Sequence, residues 1–173
     1  MRFIILSAIL FTTTLGAKLY IEPVLPSFLY FDPFLWWVVF WALFSKEKQT
    51  SLPAFFMGLL KDLLSSGGFG MYAILYALVF RLIAKNKHKL YIENKYTHML
   101  VVFGAGLIVN FLYFVMMLIN SGSYDFVSGM LRILCIVVPT TLLTLPAFEY
   151  INALSRVLRI EVNKRGQYVL PDY

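Results

Sequence analysis

The chain has 173 residues, 60% of them hydrophobic and 14% charged, with a formal net charge of +6. Ordinary soluble domains are nearer half apolar and a quarter charged. One core of this size cannot hide so much apolar surface, so the composition excludes a typical soluble domain and points to lipid as the solvent.

Six apolar segments follow along the chain. The first runs from about Phe3 to Tyr20. Met1-Arg2 before it resembles the start of a signal peptide. Thr14-Leu-Gly-Ala17 is a poor cleavage site, however, so the run reads as a first membrane helix. The second spans Phe28 to Phe44 and is interrupted by Asp32-Pro33. Proline suits a first helical turn and aspartate the cap before it, so a helix beginning there has 13 residues to Ser45, about 20 Å. The third, Leu52 to Leu64, is equally short. The fourth covers Met71 to Ala84 and the fifth Met99 to Ile119. The sixth runs from about Phe126 to Leu154, where Pro139 and Pro146 predict kinks.

With the N-terminus inside and the segments alternating, only Lys18, Lys61 and Arg132 fall in the outer half. The other twelve of the fifteen Lys and Arg face the cytoplasm, as the positive-inside rule requires. The sequence therefore reads as an all-α, six-span domain over residues 1–158 with a short basic cytoplasmic tail over 159–173. Both termini lie on the inner side.

A spanning helix needs about 20 residues. The second and third segments fall short at their outer ends. Irregular backbone at membrane depth is tolerated only against protein or water, so an outer-facing recess or partner-filled groove is one reading. A thinned bilayer, or extended chain over Pro26 to Phe31, is the other.

Ionisable residues in spans are costly and often functional. The hairpin of the second and third segments brings Asp32 near Lys61-Asp62, where a Lys61–Asp32 ion pair competes with helix capping by Asp32 and snorkelling by Lys61. Ser65-Ser-Gly-Gly-Phe-Gly70 is a glycine-rich turn without the lysine–serine pair of a phosphate loop. Gly106, Asn110 and Tyr113 share one face of the fifth segment. Small residues there allow close packing, and Asn110 can bond across helices. Trp37 and Trp41 share a face suited to interface anchoring. Tyr72, Tyr76 and Phe80 form a packing stripe. The single cysteine, Cys135, excludes an internal disulfide. No cofactor, metal or catalytic motif is present, and the excess charge reads as topology and headgroup attraction, not nucleic-acid binding.

The stretch Gly58-Leu-Leu-Lys-Asp-Leu-Leu-Ser-Ser-Gly-Gly-Phe-Gly-Met-Tyr-Ala-Ile-Leu75 resembles the signature region of the MreD family. That family shows Gly-Leu-x-x-Asp-Leu, a small-residue turn ending in Gly, then the next helix. Its Pro-Asp pair at the second helix is reversed here as Asp32-Pro33, and Lys61 stands where the family usually has an apolar residue. Length, short early helices and a basic tail look like the family over nearly the whole chain, while the specific match covers Phe56 to Leu75.

The resemblance implies a non-enzymatic scaffold of the bacterial elongasome in the cytoplasmic membrane. Its partners would be the membrane helix of MreC, other elongasome membrane proteins and the lipid bilayer. It also implies a fold similar to the six-helix substrate-binding subunits of energy-coupling-factor vitamin transporters. Asp32, Pro33, Asp62, Gly67, Gly68 and Gly70 would then cap helices and shape the recess, with Gly106 and Asn110 on the small-residue face. The alternative function is such a transporter subunit. The first segment lacks the Ala-x-x-x-Ala face those subunits use for docking, which argues against it.

Overall fold

The computed structural model describes residues 12–13, 15–16, 30–44, 51–65, 70–87, 95–121, 125–157, 161–162 and 168–169. Most of the first predicted segment, and Gly67 and Gly68 of the glycine-rich turn, lie outside the described residues.

Among the described residues, six helices of twelve residues or more follow one another: α1 Pro33–Phe44, α2 Leu52–Leu64, α3 Met71–Asn86, α4 Lys95–Ser121, α5 Phe126–Leu142 and α6 Thr144–Val157. In the tail, Glu161–Val162 (β1) and Tyr168–Val169 (β2) pair antiparallel, Glu161 opposite Val169, a feature absent from the all-α reading.

The two short helices are short in the structure. At 1.5 Å per residue, the 12 residues of α1 and 13 of α2 reach about 18 and 20 Å. Among the described residues, Tyr96–Ile119 is long and apolar enough to cross a bilayer by itself. Phe126–Leu142 with Thr144–Tyr150 form a broken pair bent by 41°. The break falls at Leu143, between the two prolines that predicted it. Pro146 has no N–H to return to the Leu142 carbonyl, so the ladder is interrupted there.

The core is built around α1. Phe34, Leu35, Val38, Val39, Phe40, Ala42 and Leu43 are all buried, and together they cover every side of the helix. A helix apolar all round must be enclosed, and α1 packs against α2, α3, α4 and α6. This corrects the interface reading of the tryptophans. Trp37 is buried in the core and stacks on Trp41 at 4.9 Å. The Tyr72–Tyr76–Phe80 stripe is buried against the same core, as predicted. Leu15, from the N-terminal region, packs on it too.

The tightest crossing joins α2 to α3. A Cβ on Gly58 would lie 2.3 Å from the Ala73 Cα and 2.4 Å from the Tyr72 carbonyl oxygen. Only glycine lets these two backbones touch. A second, smaller cluster of Phe114, Ile133 and Val137 joins α4 to α5.

Candidate functional site: a buried polar cluster beside a cavity

Asp32 stands immediately before Pro33, the first residue of α1. Its Oδ1 accepts the Leu35 N–H at 3.3 Å, so it is the N-cap predicted from the Asp-Pro pair. Its Oδ2 accepts from the Lys61 Nζ and, at 2.6 Å, from the Tyr76 hydroxyl. The predicted ion pair and the predicted cap therefore coexist on one carboxylate. Asp32 is 3% exposed and the Lys61 side chain 13%, so the lysine is held inward and does not snorkel. Its ammonium also reaches the Tyr76 hydroxyl at 3.0 Å and sits 3.9 Å from the Tyr72 ring centroid, a cation–π contact strengthened by burial.

Thr140 ties this cluster to α5. Its Oγ1 accepts the Asp32 N–H at 2.9 Å and donates to the Ile136 carbonyl at 2.6 Å. Its carbonyl accepts from the Trp36 indole at 2.8 Å and from the Thr144 hydroxyl at 2.9 Å. No sequence motif marks Thr140. Its place beside Pro139 was the only local signal, because a backbone broken by proline needs hydroxyl partners nearby.

Asp62 faces the other way. Its two oxygens accept the N–H groups of Tyr72 at 3.1 Å and Ala73 at 3.2 Å. These are orphan donors in the first turn of α3. The N-cap residue there is Gly70, at φ +89°, which has no side chain to cap them. Asp62 is thus a cap supplied from another helix, and its negative charge meets the positive end of the α3 dipole. Gly58 lies one turn earlier on the same face of α2. It brings the backbones close enough for the carboxylate to reach. The Gly58-x-x-x-Asp62 spacing is therefore a single packing and capping device.

Gly106 and Asn110 are buried on α4, as predicted. A Cβ on Gly106 would touch Leu35 and Val137 side chains at 3.4 Å, so this face packs between α1 and α5. Asn110 departs from expectation. Its amide donates to the Gly106 carbonyl of its own helix at 2.8 Å, not across to a neighbour. Tyr113 stacks on Tyr72 at 4.4 Å.

Tyr72 links the polar cluster to a cavity of about 310 Å³. The cavity opens beside Ser65 and Tyr72, near the outer end of the third segment, where a recess was one of the two readings of the short helices. Its walls, however, come mainly from α4 and α5, with Ser65 and Tyr72 at the turn side. The short α1 is buried and does not line it. Among the described residues no group of three or more His, Cys, Asp or Glu is placed to hold a metal ion.

This arrangement defines a helical protein in which the buried charges of Asp32, Lys61 and Asp62 join one helix to another, and in which one described helix is long and apolar enough to cross a bilayer. The chain belongs to the MreD family: the model of rod shape-determining protein MreD matches residues 1–154. That family consists of bacterial membrane proteins that determine rod shape, and the match covers the six described helices except the last residues of α6. No curated protein and no solved structure matches the chain.

Proposed function

We propose that the chain is a non-enzymatic, six-span scaffold of the cell-wall elongation complex, with both termini in the cytoplasm, which docks the membrane helix of MreC. The family match over residues 1–154 carries this reading. The chemistry of the cluster supports it. Asp32, Lys61 and Tyr76 bond to one another, Thr140 accepts the Asp32 N–H, and Asp62 bonds to the α3 backbone. A rigid body of this kind suits holding a partner in place better than turning over a substrate. The transporter-subunit alternative gains nothing from the family match.

Co-purification tests the proposal. Tagged chain expressed with MreC should retain MreC through detergent extraction and size exclusion. It should also retain an MreC fragment reduced to its membrane helix. Failure to associate, with both proteins monodisperse and helical, would sink the scaffold reading.

A further inference from the structure

Arg132 is the one described outer-half cation that the Asp32 pairing leaves unexplained. It is the seventh residue of α5, about 9 Å along the axis from Phe126. Apolar residues flank it: Leu131, Ile133, Leu134. It has no ion-pair or hydrogen-bond partner among the described residues. The nearest carboxylate in sequence, Asp125, accepts instead from the Ser128 hydroxyl at 2.8 Å. An unpaired guanidinium in an apolar span is costly, and such residues face a cavity, a partner or a bound ion.

Arg132 lines the 310 Å³ cavity described above. Tyr113, Phe114, Met117, Ile133 and Ile136 make most of the remaining wall apolar. The Asn110 amide on that wall is already donating to Gly106. What remains, among the described residues, is one planar cation without an ion-pair partner above an apolar hollow, in the size range of ligand pockets. A guanidinium fork matches the oxygens of a phosphate. Outside the cavity, α5 exposes Val127, Leu131, Leu134 and Val138, a continuous apolar surface along which chains attached to that head can lie.

We propose that this cavity holds the head and first carbons of an anionic phospholipid, with Arg132 on the phosphate. Charge complementarity selects the head and the exposed face of α5 selects the tails. The inference stands apart from the scaffold reading and needs only that the helices sit in a bilayer.

Native mass spectrometry of the full chain released from detergent provides the test. The chain is mixed with equal amounts of phosphatidylglycerol and phosphatidylcholine, and separately with inorganic phosphate. Phosphatidylglycerol should be retained preferentially and phosphate alone should not. R132Q should lower phosphatidylglycerol retention about tenfold, the equivalent of one lost charge-assisted contact. R132K should restore most of it, and R81Q, at an exposed cation on α3, should leave it unchanged. Because Arg132 is itself exposed, these changes leave the core intact. Equal retention by R132Q and wild type, equal retention of phosphatidylcholine, or an equal loss in R81Q would each overturn the proposal. So would binding of inorganic phosphate alone.

Discussion

The carboxylate of Asp62, near the end of α2, accepts the backbone N–H of Tyr72 at the start of α3 at 3.1 Å, and that of Ala73 at 3.2 Å. Helix ends normally recruit a cap from the residue just before them. Here that residue is Gly70, which cannot. Asp62→Ala therefore strips α3 of the only side-chain acceptor for those donors among the described residues. Two charge-assisted bonds are lost in a buried setting, an expected cost of about 3 kcal/mol. Asp62→Asn keeps one acceptor oxygen and should cost about 1 kcal/mol. Thermal unfolding in a mild detergent, followed by circular dichroism, ranks the three proteins. A D62A midpoint equal to wild type would contradict the cap.

Two glycines in the same motif serve different physical needs, and alanine separates them. At Gly58 a methyl group would sit 2.3 Å from the Ala73 Cα, which is backbone and cannot step aside. Gly58→Ala should cost about 3 kcal/mol through overpacking, well beyond the roughly 1 kcal/mol of helix propensity it gains. At Gly70 nothing lies within 4 Å, so only the φ of +89° resists substitution. Gly70→Ala should cost about 1 kcal/mol. The order of unfolding midpoints, wild type above G70A above G58A, checks both arguments together.

The bend between α5 and α6 makes a geometric prediction. Pro139 is accommodated inside α5, where the Leu143 N–H still reaches its carbonyl at 3.0 Å. Pro146 withholds the N–H that would continue the ladder through Leu142. Pro146→Ala restores that donor and should reduce the 41° bend. Spin labels at exposed Met130 and Tyr150 should move apart in P146A, as a straighter rod is longer between the same residues. Pro139→Ala should change the distance less.

Local rules made part of this site readable from sequence. Asp32 before Pro33 is a helix start wherever it occurs, and a short hairpin must bring Lys61 back beside it. Asp62 was singled out for its charge, but its role depends on a crossing that only the folded pair creates. Gly58 was visible in the motif, yet the need for glycine there appears only when α3 lies against it. Thr140 is more than a hundred residues from Asp32, and no periodicity connects them. Trp37 illustrates the opposite error. An aromatic in an apolar run resembles an interface anchor until its helix proves to be the centre of the bundle. Asn110 found an acceptor one turn back, in its own helix, before any neighbour was needed.

The Asp32–Lys61 pair yields a prediction about coupling. Removing one member of a buried ion pair leaves the other charge uncompensated, typically at a cost of about 3–5 kcal/mol. Lys61→Met strands the Asp32 carboxylate, although the Leu35 N–H and the Tyr76 hydroxyl still donate to it. Its expected cost is therefore at the low end, about 3 kcal/mol. Asp32→Asn strands a cation that retains the Tyr72 ring and the Tyr76 hydroxyl, and weakens the α1 cap as well. A similar loss of about 3 kcal/mol follows. The double variant removes both charges, so its loss should fall short of the sum by about 2 kcal/mol. Chemical unfolding of the four proteins in the same detergent measures the cycle. Strict additivity would mean that the ion pair contributes nothing beyond its separate hydrogen bonds.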